Sequence, residues 1–395
     1  METNDKVVYR LIQEFKKRKE NEEGTLKIIG TELKSQRLKL SKTLKYVAYN
    51  ICSISYASKL ENSLINSNRY IISEYGKKVG LDDSKIQVLY DLKIIILKCI
   101  DAYFDHDYNS IKKYYTESLG FVNYRSKIIR LIHYISIRKM DEAYKYIVEL
   151  MKLSGSFTDF DLNVFSLFYS IYLFYAGTFN DSLELIEVID SLSISEKFGL
   201  LKETYSFYIH IALNSNSITE KYNNAKEHLI NSFYFDRIDE LTYFLCVSFI
   251  RKNDRYHFSK YFKNVKNESY KEALNILFDF IYDFHFDYRK YKKTSIIFAD
   301  AILELSKDPE FAKSYLVNNN VYYIDYNYHI LKYLIYSRID GSNLLPLIKE
   351  LVDYGTTVED PIYKFFIFRE AVKYFGKESK YKFIHDIYLK FWGVL

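Results

Sequence analysis

Two groups of side chains have the types and spacing for bond-making chemistry. Asp279, Asp283 and Asp287 recur every four residues with His285 among them, so a helix would line three carboxylates along one face. Asp101, Asp105 and His106 form a smaller set. Carboxylates so placed can ligate a divalent cation or move a proton. Neither set has a partner cluster elsewhere in the chain, and a solvated helix face accounts for both. The phosphate-binding Gly-x-x-x-x-Gly-Lys, His-Glu-x-x-His, paired Cys-x-x-Cys and Gly-x-Ser-x-Gly do not occur. The residues argue against an enzyme, and they imply no cofactor and no metal.

A second kind of chemistry is recognition without reaction. Ser53, Ser55, Tyr56 and Lys59 bring donors, acceptors and a cation to one short stretch, the inventory needed for base edges and phosphates. The pattern around them predicts the elements that hold them. A first helix from Thr25 carries Ile28, Ile29, Leu33, Leu38 and Leu40 at helical spacing. Ser41 is expected to cap a second helix over Lys42 to Ile51, with Leu44, Val47 and Ala48 inward. Cys52-Ser53 forms a tight turn, and Ser53 caps a third helix over Ile54 to Glu61, with Ala57 and Leu60 inward. A fourth helix is expected over Ser67 to Val79. A short turn between the second and third helices matches the helix-turn-helix plan, in which the third lies in the major groove.

Charge singles out the same block. The chain carries a net +5, yet residues 25–80 hold ten Lys/Arg against three Asp/Glu, while residues 1–24 hold six of each. The remainder is slightly acidic. A compact basic block on a near-neutral chain is the footprint of a polyanion-binding module.

The residues also carry a family likeness. Ile29-Gly30-x-x-Leu33-x-x-x-Arg37, then Thr43-Leu44-x-x-Val47-Ala48, then Ile51-Cys52-Ser53-Ile54-Ser55-Tyr56-Ala57-Ser58-Lys59-Leu60-Glu61-Asn62 resembles the Xre/Cro-type helix-turn-helix. The last run is similar to that of the RRNPP group, peptide-pheromone-responsive transcription regulators of low-GC Gram-positive bacteria. The resemblance covers roughly residues 26–82. It implies double-stranded DNA as partner, with Arg37, Ser53, Ser55, Tyr56, Ser58, Lys59 and Asn62 as the contacts. It also implies a short signalling peptide of the quorum-sensing kind, a homodimer, and control of sporulation, toxin production or competence. The family usually has Gln where this chain has Leu44.

Beyond residue 84 the chain reads as helix after helix, giving an all-α protein: an N-terminal arm (1–24), a helix-turn-helix domain (25–82) and a tetratricopeptide-like α-solenoid (84–395) for sensing and dimerisation. The small residues Ala143, Ser182, Ala225 and Ser259 sit at similar helix junctions, separated by 39, 43 and 34 positions, against an ideal period of about 34. Such a stack forms a groove. Asn side chains can clasp a peptide backbone there, and Asn163, Asn214, Asn231 and Asn275 are the candidates. The alternative is a protein–protein adaptor whose basic block no longer binds DNA.

Three scattered cysteines, Cys52, Cys99 and Cys246, suit a reducing cytoplasm, and the first residues show no apolar leader. The longest aliphatic run, near Leu92 to Ile100, is broken by Lys93 and Lys98, well short of the roughly 20 apolar residues of a membrane span.

Overall fold

The computed structural model describes residues 8–15, 27–62, 65, 67–81, 83–190, 194–252, 254–282, 287–294, 296, 299–300, 302–303, 333, 343–357 and 361–393. Among them every regular element is helical. None of the helices is long and apolar enough to cross a membrane. The chain divides into two compact units, Met1–Ala176 with Asn180–Lys202, and Gly177–Phe179 with Glu203–Leu395.

The first unit begins with α1 (8–15), which buries Val8, Leu11 and Phe15 along one stripe. Four short helices follow: α2 (Lys27–Lys39), α3 (Leu44–Ala48), α4 (Ile54–Glu61) and α5 (Arg69–Lys78). Their shared core is Leu33, Val47, Ala48, Ala57, Leu60, Ile72, Tyr75, Val79 and Leu81, with Leu44, Ile51 and Cys52 packed at its margin. Asn68 caps α5 through its side chain, and Gly80, at φ 78°, ends it.

One local expectation needs correction. Ser41 adopts a left-handed backbone (φ 53°), and Thr43 caps α3 instead, its Oγ1 accepting from Tyr46 N at 3.2 Å. The helix thus starts two residues later, and the turn at Asn50 (φ 60°) ends it early, at Leu44–Ala48. Leu38 and Leu40, at and just after the end of α2, are exposed.

Six more helices follow: α6 (Asp83–Phe104), α7 (Tyr108–Ser118), α8 (Tyr124–Ser136), α9 (Met140–Met151), α10 (Asp159–Ala176) and α11 (Phe179–Glu187). Consecutive members pack on one another from α6 to α9. Small residues permit close approach at the expected junctions. Ala143 is buried on α9, and Ser182 on α11 exchanges hydrogen bonds with Ser170 of α10, each hydroxyl donating to the other's carbonyl at 2.8–2.9 Å. Inside, Asp161 accepts a two-pronged bond from Arg125 (2.7 and 3.0 Å) and a third from the Tyr124 hydroxyl. A buried carboxylate is tolerable only with its lone pairs satisfied in this way.

The unit boundary falls within α12 (Glu196–Ala212). The second unit then holds α13 (Ile218–Asn231), α14 (Phe235–Arg251), α15 (Arg255–Phe262) and α16 (Glu268–Tyr282), followed by α17 (Leu345–Thr357), α18 (Pro361–Lys377) and α19 (Tyr381–Trp392). Ala225 is buried as expected, whereas Ser259 faces solvent and its neighbour Phe258 fills that place, stacked on Phe278 at 4.8 Å. Of the cysteines, Cys99 lies buried in the first unit and Cys246 in the second.

Candidate nucleic-acid interface

The site is built on α4. Ser53 has extended backbone angles and its Oγ accepts from Tyr56 N at 3.1 Å, satisfying one of the unpaired N–H groups of the first turn. The entry to Ser53 is tight: Ile51 N and Cys52 N both donate to Ala48 O at 3.0 Å, and Asn50 turns the chain at φ 60°. Ala48, nearly without exposure, lets this turn bring α4 close to α3.

The inner face of α4 is Ala57, Leu60 and Glu61. Glu61 is the anchor. Its carboxylate accepts from Arg37 Nε at 2.6 Å and Arg37 Nη2 at 2.9 Å, and from the Tyr75 hydroxyl. Arg37 Nη1 donates to Lys42 O at 2.9 Å. Helices α2, α4 and α5 and the loop before α3 are thereby tied to one charge. Burial, then Glu61, hold the Tyr75 phenol far above its ordinary range, and the carboxylate raises Arg37 further.

This network corrects the placement of Arg37 among the DNA contacts. Its guanidinium is buried and committed to Glu61 and Lys42 O, so no edge remains for a phosphate. The remaining candidates lie at or near the surface. Ser53, Ser55, Lys59 and Asn62 are exposed, and Ser58 and Tyr56 are half-buried. Ser55, Ser58, Lys59 and Asn62 share the face opposite the core at helical spacing. Asn62 Oδ1 accepts from Lys34 Nζ at 2.7 Å, which leaves the Nδ2 amine as the group it offers outward. The Tyr56 hydroxyl donates to Ser67 Oγ at 3.2 Å and so also steadies the chain after α4.

Other lysines of the block also reach the surface. Lys39, Lys45 and Lys59 are exposed. Lys42 lies over the Tyr46 ring at 5.0 Å and Lys78 over the Tyr49 ring at 5.7 Å, both rings more than half exposed. Of the three acidic residues of the block, Glu74 pairs with Lys77 at 2.6 Å. Glu61 is spent on Arg37, and Glu32 is buried, its pKa raised by desolvation. Leu44, where the resembled family has Gln, packs at the core margin.

No family model and no characterised relative matches this chain in sequence. Among solved structures it is similar to PlcR of Bacillus thuringiensis in complex with the peptide PapR7 and DNA. That match has 18% identity and a TM-score of 0.34, covering 65% of this chain and 96% of that one.

The asparagines are scattered. Asn163 belongs to the first unit and is buried: its Nδ2 donates to Asp159 O at 2.8 Å and its Oδ1 accepts from Asp190 N at 2.9 Å. With both ends of its amide engaged it joins α10 to the chain after α11, which corrects its assignment as a peptide contact. Asn214 takes a left-handed turn (φ 53°) after α12, with no donor to its buried Oδ1 among the described residues. Asn231 is exposed at the end of α13, and Asn275 is half-buried on α16.

The acidic sets do not assemble. Asp283 and His285 lie outside the described residues. Asp279 accepts from Tyr291, while Asp287 lies beyond the end of α16 and pairs with Arg289 at 2.9 Å. Asp105 pairs with Lys197 at 2.5 Å. Among the described residues no group of His, Cys, Asp and Glu is placed to hold a metal ion.

Proposed function

We propose that this chain is a sequence-specific, double-stranded-DNA-binding transcription regulator acting through the outward face of α4. The observation that carries the reading is the pairing of two faces on one eight-residue helix. The inner face is locked by a buried ion pair, and the outer presents Ser55, Ser58, Lys59 and Asn62 among surface lysines. In a helix-turn-helix such a helix enters the major groove, its first residues reading base edges. Rigid placement matters because a misplaced donor forfeits a bidentate contact.

In this reading residues 25–82 are the DNA-binding domain, with Ser53, Ser55, Tyr56, Ser58, Lys59 and Asn62 as its contacts. The helices that follow form a tetratricopeptide-like array that dimerises and binds a short oligopeptide signal in the cytoplasm. Asn214, Asn231 and Asn275 remain candidates for the peptide. The likeness of residues 51–62 to peptide-responsive regulators motivates this part of the proposal. Two copies would space their α4 helices by about 34–36 Å, one turn of DNA, or a multiple.

The test is to sequence DNA that co-purifies with the full chain and to measure binding to the recovered site. Specific affinity should fall steeply with salt. Lys59→Ala should lower it by about tenfold or more with an unchanged unfolding transition. Recovery of no preferred sequence, or unaltered specificity in the variant, overturns the reading.

A further inference from the structure

We infer that Ile54 is a specificity-determining residue that packs against the C5-methyl group of a thymine in the bound DNA. The inference rests on the reading of α4 as the groove-entering helix and adds to it a base identity.

Ile54 is the first residue of α4, directly after the Ser53 cap, and half of its surface is open to solvent. The other apolar residues of this helix, Ala57 and Leu60, are buried to within 4%. Ile51, Cys52 and Ile71 at least pack at the margin of the same core, and Ile54 is not among them. A β-branched aliphatic residue has no capping role and loses side-chain freedom in a helix. Ile54 therefore serves neither the core nor the start of the helix. It stands between exposed Ser53 and Ser55, five and eight positions after the exposed Tyr49 and Tyr46, in the block with the chain's excess positive charge.

That charge selects a polyanion as the occupant. Among polyanions, duplex DNA displays one apolar group in a groove wide enough for a helix, the thymine methyl. The major groove of double-stranded RNA is too deep and narrow for side chains. An apolar side chain at the entering end of a cationic helix thus fits a thymine in DNA.

The experiment uses the full chain and the tightest duplex selected from a random-sequence pool. Each thymine is replaced in turn by deoxyuridine, which keeps pairing and removes only the methyl. Wild-type protein should lose about fourfold in affinity at one position of each half-site. Ile54→Ala should bind the methylated and demethylated duplexes equally, and Ile54→Val should lie between. Wild-type binding that is selective yet indifferent to every demethylation overturns the thymine contact and leaves the regulator reading intact. A variant that keeps the full sensitivity overturns the assignment to Ile54. Failure to enrich any duplex overturns the regulator reading itself, and this inference with it. Should Ile54→Ala not fold, the wild-type scan and Ile54→Val still decide.

Discussion

At the scale of single residues, local and long-range partners behave differently. Ser53 could be read from the sequence because a cap bonds within its own turn, and the predicted helix, Ile54 to Glu61, is the one observed. Arg37 could not. An arginine on a basic helix suits a phosphate or a carboxylate equally well, and the deciding Glu61 lies 24 residues away. Asn163 failed for the same reason, since its acceptor role is to Asp190, 27 residues on. The Arg37–Glu61 pair carries a clear expectation. Removing one partner strands a charge in a nearly water-free place, so Arg37→Ala should destabilise the fold by about 3–5 kcal/mol. A denaturant titration of the full chain reads this, and a loss below about 1 kcal/mol would show that the pair is not structural.

At the scale of elements, the long helices were legible and some short ones were not. A helix such as α8 repeats buried aliphatics, Ile128, Leu131, Ile132 and Ile135, and its period survives inspection. By contrast, α7 buries only Ile111 and Ser118, and α15 only Phe258. With one apolar anchor there is no period to find. Nor could the packing partners be named, since aromatic rings are spread over all faces. One consequence concerns α7 and α8. His133 of α8 is buried and stacks on Tyr115 of α7 at 4.2 Å. Burial, with Lys112 and Lys139 nearby, holds its pKa below the ordinary 6.5. The unfolded chain therefore takes up the proton first. This contribution to stability is complete above about pH 6.5 and is lost as pH falls through the lower, folded value. Replacement His133→Phe keeps a stacking ring and should flatten that part of the profile, measured as the unfolding midpoint between about pH 7 and 5. An undiminished slope would assign the effect to other groups.

At the scale of the whole molecule, charge and composition were the most readable features. The net +5, the concentration of lysines in residues 25–80 and the scarcity of breakers, 12 Gly and 3 Pro, all pointed to helices and a basic block. The division near residue 203 was not readable, because it falls inside α12, a continuous helix with no Gly- or Pro-rich linker to mark it. That division gives the cysteines a use no motif suggested. Each unit conceals one thiol, and burial raises both, Cys246 to about 12 and Cys99 further. A sealed, protonated sulfur is nearly inert to alkylation until its surroundings open. Alkylation followed site by site should find Cys52 the quickest, with Cys99 and Cys246 each keeping separate time for its own half of the chain. Equal rates at the two slow sites under every condition would mean the halves come apart together. Distinct rates would give the protein two built-in clocks, placed by nothing more than where a helix turned its sulfur inward.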